Sequence, residues 1–206
     1  MEKLDLSKVE FSKNDLKINV TLPKILDNKL AYFAGIHIGD GFMNYYRKYY
    51  YSIAYSGHLI DENDFYKNYF WNMFKNFFNK KLFIYERFRI KKQSIDLSTQ
   101  SKAIFTFLNT SLGIKAGPKT NTPIPDIILN SKYQLNFIKG LADSDFSLTF
   151  KAKSNLHNYP VISLDTSNKL LLNQTNTLLK NEGFRTSILL DFPKKRYEKT
   201  HISNQL

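Results

Sequence analysis

The feature that most constrains the fold is an internal repeat. The stretch Phe33-Ala34-Gly35-Ile36-His37-Ile38-Gly39-Asp40 lies over Ile138-Lys139-Gly140-Leu141-Ala142-Asp143-Ser144-Asp145, each with a Gly, an aliphatic residue after it, and an Asp five positions beyond the Gly. A matching proline phrase precedes each, Leu22-Pro23-Lys24-Ile25 and Ile124-Pro125-Asp126-Ile127. The predicted strands also keep step: Phe83–Arg87 and Gln93–Thr99 follow Asp40 at nearly the offsets at which Ser187–Asp191 and Tyr197–Ser203 follow Asp145. Self-similarity of this kind marks two copies of one supersecondary unit. Each copy reads α-β-β-α-β-β, and the first adds a closing helix that the second is expected to lack. The expectation is an α+β fold of pseudo-two-fold duplicated halves. Residues 1–20 form an N-terminal extension, 21–113 the first half, 114–130 a Gly/Pro/Thr-bearing linker, and 131–206 a second, shortened half.

Local patterns place the elements. Leu16-Lys17-Ile18-Asn19-Val20 alternates and reads as an edge strand. Asp27 or Asn28 can cap a helix with apolar positions Leu30, Phe33, Ala34 and Ile38, stopped by Gly39 and Gly41. The Tyr-rich 41–57 reads as a hairpin turning near Arg47-Lys48. Residues 61–79 put acids first and aromatics at helical spacing, an amphipathic helix whose aromatic stripe is core. A second hairpin turns at Lys91-Lys92, and a short helix ends at Gly113. The second copy follows with a helix at 131–143, strands at 147–153 and 160–166, a helix at 168–182 closed by Gly183, and strands at 184–191 and 197–203.

Composition limits the chemistry. The 206 residues carry 30 Lys plus Arg against 18 Asp plus Glu, a formal charge of +12 that calls for a polyanionic partner, most often nucleic acid. With 42% hydrophobic residues the chain can build a core. Zero Cys excludes a disulfide scaffold, a Cys-ligated zinc site and a thiol nucleophile. There is no run long and apolar enough for a membrane-spanning helix, and the charged N-terminus does not read as a signal peptide. The expectation is an intracellular protein, cytoplasmic or organellar, not secreted.

The repeated motif itself carries chemistry. Glycines on an apolar helix let two helices approach closely. If the two motif helices pack side by side, Asp40 and Asp145 meet at their shared end. Two carboxylates there repel each other and face the negative ends of two helix dipoles. Hard divalent ions held by carboxylate and backbone carbonyl oxygen relieve that arrangement, and a pair of such ions over a phosphodiester is the equipment for hydrolysis. For a lone Gly-Asp-Gly a turn or C-cap role is the simpler account; the recurrence favours a site.

At these residues the sequence resembles the LAGLIDADG homing endonucleases, most closely their two-motif, single-chain, archaeal-intron members. FAGIHIGDG stands where the first motif falls and IKGLADSDF where the second falls, over about residues 20–203. The resemblance implies a monomeric saddle on a long, nearly asymmetric site in double-stranded DNA, cut on both strands with Mg²⁺ or Mn²⁺. It implies that Asp40 and Asp145 are the catalytic metal ligands, joined by the backbone carbonyls of Gly39 and Ser144. Two departures bear on activity. Phe146 stands where the family prefers Gly, and the strand ends at Ser56-Gly57-His58 and Thr166-Ser167 lack the family's Lys or Gln; Lys169, Lys151 and Lys153 lie near without matching. The alternative is a degenerate member that binds intron RNA as a splicing cofactor, or DNA as a regulator. The ends of the chain lack the residues for protein splicing, which favours a freestanding, intron-encoded protein.

Candidates for DNA contact fall on hairpins. Tyr45, Arg47, Lys48 and Tyr50 interleave aromatic and basic residues, and alternation lets about half of such a strand face DNA. A Tyr-rich face packed on helices accounts for the same pattern. Arg87, Arg89, Lys91 and Lys92 form a second cluster, with Arg87 and Arg89 candidates for guanine readout. Lys151 and Lys153 lie on a strand of the second half, and Lys194, Lys195 and Arg196 form a third cluster. His37 reads as core. His58 can replace the absent lysine or start a helix. Asp126, Asp143 and Asp165 read as caps or surface residues.

Overall fold

The computed structural model describes residues 2–46, 50–89, 92–153, 157–196 and 199–205, excluding the side chains of 89, 92, 153, 157, 158 and 191–205. The chain divides into two compact units, one of Met1–Leu30 with Asp40–Gly117, the other of Ala31–Gly39 with Pro118–Leu206.

In the first unit, β1 (Glu2–Lys3) pairs antiparallel with β2 (Ile25–Leu26), and α1 (Lys13–Lys17) lies between them in sequence. The stretch expected as an edge strand at 16–20 is therefore helical up to Lys17. Ser12 and Asp15 account for it: Asp15 N donates to Ser12 Oγ and Ser12 N to Asp15 Oδ2, a capping box that nucleates a turn the alternation does not reveal. Asp15 does more. It is fully buried and also accepts from Ser101 Oγ at 2.7 Å and from the backbone N–H of Lys102 and Ala103. Burial alone would raise its carboxyl pKa, but the hydrogen bonds from Ser12, Ser101 and Ala103 outweigh it and hold the group below the ordinary carboxylate range.

Helix α2 (Asn28–Gly39) begins in this unit, where Asp27 Oδ1 accepts from Leu30 N at 2.8 Å. Strands β3 (Gly41–Tyr46), β4 (Tyr50–His58), β5 (Phe83–Arg89) and β6 (Lys92–Gln100) then form an antiparallel sheet in the order β3-β4-β6-β5. Register opposes Met43 to Ile53 and Tyr55 to Leu97. Period-two alternation sends Met43, Ile53, Tyr55, Ile95 and Leu97 to one buried face. The aromatic stripe covers that face as expected: Tyr66, Phe70, Phe74 and Phe78 are fully buried, and the Tyr55 and Phe70 ring centroids stand 4.4 Å apart. The helix starts at residues 63–64, among its acids, passes through a π-helical turn at Phe65–Phe70 and continues into α3 (Trp71–Phe78), closed by Asn79 at φ 48°. Helix α4 (Lys102–Thr106) and a π-helical turn at Phe107–Ser111 close the unit, with Ala103, Ile104, Phe107 and Leu108 buried.

The second unit builds on two helices. The connector read as a linker is ordered here. It forms a 3₁₀ turn (Lys119–Asn121) and α5 (Asp126–Leu129), with Thr122, Ile124 and Ile128 buried. Helix α6 (Gln134–Asp145) packs on the Ala31–Gly39 part of α2 at van der Waals distance between backbones. A Cβ on Gly35 would lie 2.1 Å from Phe137 O, and one on Gly140 2.0 Å from Tyr32 O. Strands β7 (Phe146–Lys153), β8 (His157–Thr166), β9 (Leu189–Arg196) and β10 (Lys199–Gln205) form an antiparallel sheet in the order β7-β8-β10-β9, the same topology as the first. Strand β9 begins later than the expected 184, because Gly183, at φ 84°, is followed by an irregular 184–188 that contributes no strand; residues 197 and 198, at the expected start of the last strand, lie outside the described residues. Helix α7 (Lys169–Asn181) buries Leu171, Leu172, Thr175 and Leu178. Among the described residues no helix follows β10. Leu148 and Ile162, which stand opposite each other like the buried pair Met43 and Ile53, are 59% and 65% exposed.

Two substitutions test these supports. Asp15→Ala removes the anion that joins α1 to the start of α4, and lowers the unfolding free energy by roughly 3 kcal/mol in a urea titration at pH 7. Gly35→Ala or Gly140→Ala places a methyl where only backbone atoms could yield, and costs roughly 3 kcal/mol in the same titration.

Candidate metal and DNA site

The motif helix α2 ends at Gly39, and its last carbonyl has no partner within the helix. Glycine is required there on steric grounds. A Cβ would meet Ser144 Oγ at 2.0 Å and Asp145 Cβ at 3.5 Å. The Gly39–Ser144 contact thus lies one helical turn beyond Gly35–Gly140, and the second motif's terminal residues sit directly against the end of the first. Ser144 Oγ turns back to its own helix, donating to the carbonyls of Gly140 and Leu141. Asp145 is exposed as a residue, yet its carboxyl is enclosed enough that burial raises its pKa, and the positive charge of Lys119 opposes the rise.

Lys119 was not among the expected site residues. Its ammonium donates to Gly39 O. No local motif marks it, because it reaches the helix end from the connector. Two neighbours are also clarified. His37 is 2% exposed and its pKa falls to about 3, first through burial and then through the charge of Lys119, so it is a neutral core residue as expected. Asp143 was read as a cap or surface residue; it accepts the Tyr32 hydroxyl at 2.7 Å and ties α6 to α2.

Asp40 follows α2 and belongs to the first unit. It is half-buried and accepts the Tyr66 hydroxyl at 2.6 Å. Tyr66 comes from the π-helical turn, a local widening often found at functional sites. It fits because Gly57 leaves room: a Cβ there would meet the Tyr66 ring at 2.3 Å. Burial, then the charge of Asp40, raise the Tyr66 pKa far above that of an ordinary phenol, so it remains a neutral donor. His58, offered as a substitute for the missing lysine, instead starts the following turn. Its Nδ1 lies 2.8 Å from Asp61 Oδ2, and its backbone N–H donates to Glu62.

The sheets sort the candidate DNA contacts. In the first, Tyr46, Tyr50, Ser52, Asp96 and Arg87 occupy the face away from Met43 and Ile53 by alternation and register. Tyr50 is therefore on the open face. Tyr45 is not: it shares the Met43 face and stacks on Tyr51 with centroids 5.6 Å apart. Arg87 lies on the open face, but its Nε is held by Asp96 Oδ2 at 2.9 Å. Arg89 and Lys92 oppose each other at the hairpin end; their side chains lie outside the described residues, as do Arg47, Lys48 and Lys91 entirely. In the second sheet Lys151 opposes Tyr159 and is exposed on the face of Ser147 and Thr149. Lys153 ends β7 opposite His157, and Lys194, Lys195 and Arg196 oppose His201, Thr200 and Lys199; all four side chains lie outside the described set.

The architecture has solved counterparts. A structure of mesophilic variants of the homing endonuclease I-DmoI matches with a TM-score of 0.57 at 19% identity, over 87% of this chain and 88% of that one. I-WcaI bound to its DNA recognition sequence matches at 0.55 and 16%, over 93% and 80%, and the LAGLIDADG meganuclease I-AabMI bound to uncleaved DNA at 0.50 and 9%, over 88% and 78%. The fold is that of the LAGLIDADG homing endonucleases. No protein-family model and no curated protein matches the sequence. I-DmoI has been solved in complex with DNA and Ca and with DNA and Mn.

The residues at the helix ends fit a divalent ion. The Gly39 carbonyl already accepts a cation, the Lys119 ammonium, whose charge also reaches the Asp145 carboxyl. Among the described residues no three acidic or histidine side chains gather as a complete ligand cage. Among the described residues no helix is long and apolar enough to cross a membrane.

The raised pKa of Asp145 predicts a pH signature in EDTA. A carboxyl whose folded pKa lies above its unfolded value destabilises the fold where it is ionised, and that penalty disappears as pH falls through the folded pKa. Asp145→Asn should therefore melt above the wild type at pH 7, with the difference vanishing toward pH 3 in thermal melts across that range.

Proposed function

We propose that this protein is a site-specific endonuclease for double-stranded DNA that hydrolyses one phosphodiester in each strand with a divalent metal ion, Mg²⁺ or Mn²⁺. The observation that supports this reading is the aspartate recurring at the end of both motif helices, on the LAGLIDADG fold and in a chain of charge +12. We read the halves as a monomeric pair, each addressing one side of a long asymmetric site.

Asp40 and Asp145, with the carbonyls of Gly39 and Ser144, are the groups that would hold the ion. When bound, a divalent ion polarises the phosphate and lowers the pKa of an attacking water. The chain's own residues prepare for this. Tyr66, locked as a neutral donor, fixes the rotamer of Asp40. Gly39 brings its carbonyl to the Ser144–Asp145 end without an intervening side chain. Tyr50, Arg87 and Lys151 stand on the open sheet faces and would position DNA there. Arg47, Lys48, Arg89, Lys91, Lys92, Lys153, Lys194, Lys195 and Arg196 would add phosphate contacts, which set register and affinity more than sequence preference.

The test is cleavage of the uninterrupted copy of the host locus. With Mg²⁺ the protein should cut it at one place and with EDTA not at all. Asp40→Asn and Asp145→Asn should each lower the rate by about a hundredfold or more, with the affinity for the DNA retained. Undiminished cutting by the double variant, or no metal-dependent cut, overturns the reading. Lys151→Ala should weaken binding uniformly across sequences and lower the salt slope by about one.

A further inference from the structure

Lys119 is built into the second unit rather than lying on its surface. It opens the 3₁₀ turn at 119–121, and the backbone of that turn is fastened at both ends by one buried side chain. Asn168, 2% exposed, donates through Nδ2 to Lys119 O at 2.8 Å and to Thr122 O at 2.7 Å. Its Oδ1 meanwhile caps α7 by accepting from Leu171 N. Ile124 N donates to Gln174 Oε1 just downstream, so the turn rests on α7 throughout. From this anchored base the lysine extends to the Gly39 carbonyl. That oxygen is one of the carbonyls left without an intrahelical partner at the negative end of α2, where a cation is stabilised. Gly39 has no side chain to shield it, and Asp145 Cβ lies 3.5 Å from where one would stand.

We propose that Lys119 is the resident cation of this site: in the metal-free protein its ammonium occupies the cation position at the Gly39 carbonyl beside Asp145, and a divalent ion binds there only by displacing it. The proposal rests on the reading of Gly39 and Asp145 as metal ligands. Its physical basis is competition. An ammonium and a hard metal ion seek the same carbonyl lone pair, and each places positive charge where the other would stand. The monovalent cation places positive charge near the carboxylate before metal arrives. A phosphodiester entering the site adds negative charge, which shifts the preference toward the divalent ion. The tether through Asn168 keeps the lysine close enough to return.

Two measurements on the full chain without DNA test this, and neither needs cleavage. In electron paramagnetic resonance titrations with Mn²⁺, Lys119→Met and Lys119→Gln should bind roughly tenfold more tightly than the wild type, while Lys119→Arg, which keeps the charge, should stay within about threefold of it. In EDTA, Lys119→Met should lower the melting temperature of the wild type by several degrees and that of Asp145→Asn by clearly less, because the ammonium then has no carboxylate to neutralise. Mn²⁺ affinity that is unchanged, weakened or undetectable in both uncharged variants overturns the displacement. An equal melting loss in both backgrounds reduces Lys119 to a structural tie. A protein that shows tightening and coupling yet never cuts DNA fails the nuclease reading while retaining this one.

Discussion

The second unit depends on one contact, the approach of α2 to α6 at Gly35 and Gly140. Helices normally stand 8–10 Å apart because side chains intervene. Here each glycine faces the other helix's backbone, and a single methyl at either would fall about 2 Å from a carbonyl oxygen. The following turn repeats the arrangement with Gly39 against Ser144. Position in the helix then does chemical work. Small residues every fourth place bring the ends of the two motifs together, so Gly39 and Asp145 become neighbours without any ligand to recruit them. The packing rule and the site are the same residues read twice.

What this closeness costs is electrostatic. A helix C-terminus is negative, and Asp145 adds a charge there whose carboxyl is partly enclosed. The fold answers from a distant part of the sequence. The connector crosses α7, is caught by Asn168, and delivers an ammonium to the Gly39 carbonyl. Asn168 serves this turn and the first turn of α7 with the two ends of one amide, which explains why a side chain so polar is almost wholly buried.

Much of this was legible in the sequence, and the reasons for the gaps are specific. The repeat of Gly and Asp, with aromatic spacing over 65–78, is a local pattern tied to helix geometry, and it located α2, α6, the π turn with α3, and both sheets. The capping box at Ser12 was hidden because Leu16, Ile18 and Val20 alternate; a side-chain hydrogen bond overrode the pattern. Tyr45 and Tyr50 stood together as candidate DNA contacts because alternation fixes periodicity but not phase, and phase came from Met43 pairing with Ile53. Lys119 and Tyr66 were missed for another reason. Each reaches an acid site from a remote segment, Tyr66 through space left by Gly57 and Lys119 through Asn168, and no spacing rule encodes such a meeting.

The repeat also misleads in one respect, since it suggests that its two acids are equivalent. Asp40 meets a neutral phenol, held protonated by burial and by the carboxylate itself. Asp145 meets the charge of an ammonium. The phenol orients its carboxylate through a hydrogen bond, whereas the ammonium acts on Asp145 through its charge, opposing the rise in pKa that burial causes. The sheets differ in the same sense: Met43 and Ile53 are sealed beneath helices, and their counterparts Leu148 and Ile162 are open. Duplication supplied two copies of one backbone, and the side chains brought in from outside the motif gave each copy its own electrostatic state. The difference between the two acids follows from those imported neighbours, not from the motif.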